Sequence, residues 1–298
     1  MAESEAKPFF ERVAIIGLGL IGSSLAWAMK AEGLAGEIVG HARSAETRET
    51  ALGLGFIDSA AETAALAVDG ANLVVIAVPV GATGPVCAEI GPALSPGALV
   101  TDVGSVKQAV IDAAAPHIPD GVHFVPAHPV AGTEESGPEA GFAELFRGRW
   151  CILTPAPATE PAAVERIAAL WRAVGSEVDT MEARHHDMVL AITSHLPHLI
   201  AFTIVGTATE LENHLQQEVI KFAAGGFRDF TRIAASDPVM WRDVFLANKD
   251  AVLEMLGRFD EDLTALQRAI RYGDGATLEE MFTRTRAIRR SIIEAGQA

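Results

Sequence analysis

Short apolar runs recur through the first 180 residues, each followed by a stretch with helical spacing. Residues 13–16 (Val-Ala-Ile-Ile), 73–78, 99–103 and 122–125 are continuous and β-prone, as expected of strands covered on both faces. Residues 37–39 supply another strand, and residues 23–30 and 86–94 predict helices. Strands separated by helices predict a parallel, doubly wound α/β sheet. Residues 150–153 and 177–178 extend the strand series, joined by a helix over 161–174. From about Ala183 strand signals stop and spacings of three and four run to the end of the chain. A helix over 184–211 comes first. One from Pro238 to about Ile270 follows, its stripe including Trp241, Val244, Phe245, Val252, Met255, Phe259 and Leu263. At 1.5 Å per residue that second helix spans about 50 Å, more than a small domain needs for its own core. It predicts subunit packing and a homodimer. The pattern divides the chain into an α/β domain, residues 1–182, and an all-α domain, residues 183–298.

Composition narrows the partners. A formal charge of −16 argues against nucleic acid or an anionic membrane, which need clustered Lys and Arg. Cys87 and Cys151, the only cysteines, match no metal or CxxC spacing and fit a reducing cytoplasm. Residues 1–12 carry three glutamates and no apolar core of a secretory signal. The apolar stretch 188–205 is interrupted by Ser194, His195, Pro197 and His198, so it predicts a buried helix and not a membrane span. A soluble cytoplasmic protein is expected.

The candidate chemistry begins at the first strand end. Gly17-Leu18-Gly19-Leu20-Ile21-Gly22 lies between a strand and a helix, the context in which GxGxxG binds a dinucleotide. Gly17 permits the tight turn, Gly19 the approach of a pyrophosphate and Gly22 close packing of helix on strand, while the helix N-terminus offers free N–H groups. The second strand ends at Ala42-Arg43-Ser44, where an NAD site usually carries an acid for the ribose. Without that carboxylate, Arg43 and Ser44 can bind a 2′-phosphate, which inclines the reading toward NADP. Stacking of Arg43 on adenine suits either cofactor.

Val78 and Pro79, Ser105, and His128 follow three further strands and point to one rim, where ligands bind in open α/β sheets. Pro126 and Pro129 are expected to end sheet pairing and leave His128 just past a strand. Ser105 has the alternative role of N-cap for the next helix. On the 184–211 helix, His195 and His198 share a face around Pro197, which should kink the helix. The pair lacks a third ligand, so no metal is expected. In the segment 225–238, Arg228, Asp229 and Arg232 lie among apolar residues, and a partly buried charge is expected. Asp229 can orient Arg232 toward a carboxylate, or the two can form a structural ion pair. Ser236 or Asp237 caps the helix begun by Pro238.

Gly17 to Gly22, Asp102-Val-Gly-Ser105-Val-Lys107, His128-Pro-Val-Ala-Gly-Thr-Glu134, Ser194-His-Leu-Pro-His198 and the 225–238 segment occur in this order. Together they resemble the prephenate/arogenate dehydrogenases of tyrosine biosynthesis, over residues 12–290. The chain is most similar to the cyclohexadienyl dehydrogenases without a fused mutase or regulatory domain. The resemblance implies NAD(P)-dependent oxidative decarboxylation of a cyclohexadiene. It assigns His128 as base, Ser105 as a hydrogen-bond partner of the same hydroxyl, and Arg232 as carboxylate holder with Asp229 in its ionic network. His198 would bind the side-chain end and Glu134 the mouth of the site, while His195, Ser236 and Trp241 match family positions. Two other readings are a β-hydroxyacid or 6-phosphogluconate-type dehydrogenase and a non-catalytic NADP-binding protein. The first would need a lysine base, and residues 184–211 hold none.

Overall fold

The computed structural model describes residues 8–209, 221–222 and 224–294. Its first six strands are β1 (Phe10–Ile16), β2 (Ala35–His41), β3 (Ser59–Ala60), β4 (Leu73–Ile76), β5 (Leu99–Asp102) and β6 (His123–Phe124). They form one parallel sheet in the order β3-β2-β1-β4-β5-β6. This is the order of a Rossmann fold, and the direction of winding reverses between β1 and β4, where such sheets bind ligands.

The alternation of β1 shows why the sheet is covered twice. Val13 and Ile15 point into one core with Leu25, Met29 and Trp171. Ala14 and Ile16 point into another with Val39, Val74 and Ile90. Helices α1 (Leu20–Ala31), α2 (Ala45–Leu54), α3 (Ala64–Val68), α4 (Thr83–Ile90), α5 (Gln108–Ala114) and α6 (Pro161–Ala173) supply the cover.

The later strands depart from the predicted single sheet. β7 (Ala127–Pro129), β8 (Trp150–Leu153) and β9 (Glu177–Thr180) make a separate three-stranded sheet, with β7 antiparallel to β8 and β8 parallel to β9. His128 therefore lies inside a strand and not in a loop beyond one. The chain does leave the first sheet at Pro126, as expected, but it pairs at once in the second, and register is why the prolines allow this. Pro126 accepts from Thr154 N–H and Val130 donates to the Trp150 carbonyl. Even-numbered residues thus carry the ladder, and Pro129 falls where an N–H would have pointed away from β8.

After β9, the described helical elements of the first compact unit (Met1–Lys249) are α7 (Ala183–Leu190), a π-helical turn (Ala191–His195), α8 (Leu196–Thr209), α9 (Gly225–Thr231), a 3-10 turn (Arg232–Ala235) and α10 (Pro238–Ala247). Instead of a simple kink, the chain before Pro197 is wound as one wide turn, with Leu196 N–H bonded to the Ala191 carbonyl. The last two residues of the predicted 184–211 helix lie outside the described residues. By length and composition the stretch Ala183–Ala208 is apolar enough to cross a membrane. It is not the buried helix expected: in α8 only Leu196 and Ala201 are buried, and Ile204 is exposed.

The long helix predicted from Pro238 is broken at Asn248. There the buried Asn248 side chain donates to the Asp187 carbonyl at 2.8 Å and meets His195 Nδ1 at 3.1 Å. The second unit, Asp250–Ala298, holds most of α11 (Lys249–Tyr272) and all of α12 (Gly275–Glu294). Gly273, at φ 67°, turns between them, and Asp274 caps the second.

Candidate active site

The switch point of the sheet carries the glycine turn. Gly17 has φ 104°, and a Cβ there would stand 2.2 Å from the Ala77 carbonyl oxygen. At Gly22 a Cβ would stand 2.0 Å from the Gly17 oxygen, so that glycine is what lets α1 close on the turn. Gly19 is the N-cap of α1, with no capping side chain and open space where its Cβ would project. Unpaired helix N–H groups facing open space fit a dinucleotide pyrophosphate. Leu18 is buried in the core, so only its backbone can face a ligand, and Leu20 and Ile21 pack partly against the same core. Pro79 caps a short 3-10 turn (Val80–Ala82) after β4, with Val78 half-buried beside it.

At the end of β2, Ser44 accepts the Thr47 N–H at 3.4 Å as N-cap of α2. Arg43 is exposed. A residue the sequence reading passed over, Arg48, folds back onto the carbonyls of Ala42 at 2.6 Å and Arg43 at 3.2 Å.

His128 is 7% exposed, and its strand is fastened on the side away from β8. Ala127 N–H donates to Asp102 Oδ1, and Lys107 Nζ donates to both the Ala127 carbonyl and Asp102 Oδ2. Asp102 also accepts Gly104 N–H at 2.7 Å. The buried Asp102–Lys107 pair thus staples β5, the Ser105 loop and β7 together. Ser105 is not the cap of α5. The first free N–H groups, those of Lys107 and Gln108, are taken by the two carboxylate oxygens of Asp187 at 2.7 and 2.9 Å. A carboxylate reaching across from α7 satisfies two donors at once, so the Ser105 hydroxyl is not needed as a cap. His186, next to Asp187, hydrogen-bonds His128: His128 Nδ1 and His186 Nε2 are 2.8 Å apart, and His186 Nδ1 is 2.9 Å from Asp187 Oδ1.

The helical side brings up the remaining candidates. His198 stacks on Trp241 with ring centroids 3.7 Å apart, and its Nδ1 donates to the Ser194 carbonyl at 2.9 Å. His195 is fully buried beside Trp241 and is held by Asn248. Trp241 joins Val106 and Val244 in a small core that also touches Val80, so α10 packs on the rim beside Pro79 and Ser105. Arg232 pairs with Glu134 at 2.9 Å, tying this region to the loop that follows His128.

Two expectations fail here. Asp229 does not pair with Arg232, because the winding changes to a 3-10 turn at Arg232 and its guanidinium reaches Glu134 instead. Nor is a charge buried in the segment: α9 has no buried residue, and the Arg232 side chain is 57% exposed. Of the two proposed caps for α10, Asp237 takes the place, accepting Met240 N–H at 2.7 Å, and Ser236 lies just outside.

Burial keeps the site's imidazoles neutral. His128 is held well below its ordinary pKa by burial and then by neighbouring His186, Lys107 and His195. Burial lowers His195 to about 4 and also depresses His186, in that case against the pull of Asp187. Each has its folded pKa below the unfolded 6.5, so its contribution to stability is full above pH 6.5 and is lost as pH falls toward the folded value. Tm is therefore expected to fall steadily between pH 7 and pH 4.5 in calorimetry. A Tm that is flat across that window is incompatible with neutral buried imidazoles.

The structure brings His128, Ser105, His195, His198, Trp241, Arg232 and Glu134 to the elements at the carboxyl edge of β4 and β5, with the glycine turn at the neighbouring strand. Asp229 stands apart. Sequence reasoning missed His186, Asp187, Asn248 and Arg48. A signal for the first pair was present: Ala183, His186, Asp187, Leu190 and Ala191 fall at helical spacing, which puts two polar groups on a buried face.

Comparison with known proteins agrees with the geometry. Residues 25–180 match the model for the prephenate dehydrogenase nucleotide-binding domain, and residues 182–284 match that for the prephenate dehydrogenase dimerization domain. The chain is 42% identical to a cyclohexadienyl dehydrogenase of Zymomonas mobilis over 94% of its own length and 95% of the relative's. It is 39% identical to a prephenate dehydrogenase of Bacillus subtilis, over 91% and 72%. The crystal structure of prephenate dehydrogenase from A. aeolicus, in complex with hydroxyphenyl propionate and NAD+, superposes with a TM-score of 0.88. Sequence identity is 33%, and 97% of this chain and all of that one are covered.

Proposed function

This chain belongs to the prephenate dehydrogenase family, and we propose how its own residues carry out the family's oxidative decarboxylation. The enzyme is an NAD(P)-linked oxidoreductase of tyrosine biosynthesis acting on prephenate, arogenate or both. Gly17, Gly19 and Gly22 would hold NAD(P)+, which would supply an acceptor for the hydride of C4 of the cyclohexadiene. His128 takes the proton of the C4 hydroxyl, and Ser105 hydrogen-bonds the same oxygen and orients it. The bond from C1 to its carboxylate then breaks, CO2 departs, and the electron pair enters the ring to make it aromatic. His128 returns its proton to the oxygen, now phenolic, so no proton is gained or lost overall. A neutral imidazole suits both transfers. The observation that carries this reading is the buried, neutral His128 at the rim of a dinucleotide-binding sheet, on a strand that Asp102 and Lys107 fasten to the Ser105 loop.

Arg232, whose guanidinium donates to Glu134, holds a substrate carboxylate in place of that partner or beside it, and His198 on Trp241 receives the side-chain end. Arg232→Gln is expected to raise KM roughly 10- to 100-fold, the worth of a charged hydrogen bond, with kcat little changed. An unchanged KM in steady-state kinetics would remove Arg232 from the substrate site. Asp229, exposed here, has its place in the ionic network only if another chain approaches α9.

We further propose that the protein is a cytoplasmic homodimer, with residues 183–298 as the substrate-binding and dimerisation domain. The matched dimerization model supports this, as do the exposed apolar side chains Leu263, Ile270 and Phe282 of α11 and α12. For the cofactor, Ala42 in place of an acid, with Arg43 and Arg48 nearby, favours NADP+. The deciding experiment is the matrix of kcat/KM for prephenate and arogenate against NAD+ and NADP+. Turnover in at least one pairing is expected, with NADP+ used at least as well as NAD+. No turnover in any pairing would overturn the reading, and strict NAD+ use would overturn the cofactor preference alone.

A further inference from the structure

His186 and Asp187 have no part in the catalytic roles assigned so far, yet both are buried, and His186 contacts His128 directly. His186 is fully buried and Asp187 is 5% exposed. The Asp187 carboxylate already accepts the backbone N–H groups of Lys107 and Gln108 through its two oxygens. Burial pulls its pKa up, but these bonds and the one from His186 hold it lower, so it is ionised and can only accept. At the 2.9 Å contact His186 Nδ1 must therefore donate. A second positive charge beside the buried Lys107 is unfavourable, so His186 is neutral and its Nε2 carries a lone pair. At 2.8 Å from that lone pair, His128 Nδ1 must donate in turn. The rings meet edge on, with centroids 5.0 Å apart and 73° between their planes, a geometry that allows a ring N–H to point at a ring nitrogen. Each tautomer in the chain is fixed by the one before it.

We propose that Asp187 and His186 are positioning residues that lock His128 in the Nδ1–H tautomer, so that its Nε2 lone pair is the one offered to the substrate hydroxyl. Among the described residues no hydrogen bond is made to His128 Nε2. The arrangement extends by one imidazole the carboxylate–histidine pairing that orients bases in other enzymes. It also couples the base to the fold, because the carboxylate that ends the chain is the cap of α5, the helix that follows Ser105. The inference rests on His128 being the base.

The test is made on His186, because Asp187 variants would also uncap α5. Nitrogen-15 NMR of the wild-type protein is expected to show His128 protonated at Nδ1 and bare at Nε2. His186→Phe removes the acceptor while keeping a planar aromatic ring. It is expected to mix the His128 tautomers and lower kcat roughly 10- to 100-fold with KM within about threefold, a smaller loss than that of the base itself. His186→Gln, which keeps an oxygen acceptor, is expected to recover most of that loss, whereas a merely structural role would not order the two variants this way. An Nε2–H tautomer in the wild type, or full kcat in His186→Phe beside an inactive His128→Asn, overturns the inference and leaves the base intact. Full kcat in both His186→Phe and His128→Asn overturns the base assignment as well.

Discussion

His128→Asn is expected to lower kcat by about 100- to 10,000-fold, the usual worth of a general base, with KM changed by no more than a few-fold. Asn keeps a polar side chain of similar reach, and β7 is held from both sides independently of it. β8 pairs on one edge, and Asp102 and Lys107 bond Ala127 on the other. The variant should therefore fold and bind while lacking a group of suitable basicity. Steady-state kinetics with calorimetry as a folding check would measure this. A kcat within tenfold of wild type at unchanged Tm would show that the proton leaves by another route.

The second large effect is on stability. Lys107→Met should destabilise the first compact unit by about 3–5 kcal/mol, because it strands a buried carboxylate. Both side chains of the Asp102–Lys107 pair are essentially inaccessible, at 0% and 2% exposure, so water cannot replace the lost ammonium. Asp102 would retain only the N–H groups of Gly104 and Ala127. For a unit of this size the change corresponds to a Tm lower by on the order of 10 °C. Replacing both partners by apolar residues should recover part of the loss, since the unpaired charge and not the missing contact carries most of the cost. If Tm moves by less than about 2 °C, the pair is not what fastens the Ser105 loop to β7. The same variant should lose activity even where it stays folded, because Ser105 and His128 are positioned through that staple.

The parts legible from sequence were those encoded within a few residues. The first βαβ unit announces itself through an unbroken apolar strand, three glycines at fixed spacing and a helix immediately after, and the structure gives each glycine a steric reason. The second sheet was not legible. β7 has three residues, too few for period-two alternation, Pro129 lies where the ladder needs no N–H, and Pro126 serves the ladder through its carbonyl alone. Contacts made over long separations were equally hidden. Asp187 caps a helix eighty residues upstream, and Glu134 meets Arg232 from 98 residues away, displacing the nearer Asp229. Nothing at Ser105 itself reveals that its capping role has been taken. Asn248 stands at one polar position within the predicted long helix, and nothing local marks it as the side chain that ties α7 to His195.

Hydride transfer and loss of CO2 are one reaction at the His128 rim, and following both together tests that claim most directly. Reduced cofactor and released CO2 would be measured in the same vessel, first with prephenate and then with arogenate, for wild type and His128→Asn. Wild type should form one CO2 for each cofactor reduced with at least one substrate, and His128→Asn should lose both in step. Cofactor reduction without matching CO2, or neither product with either substrate, would contradict it.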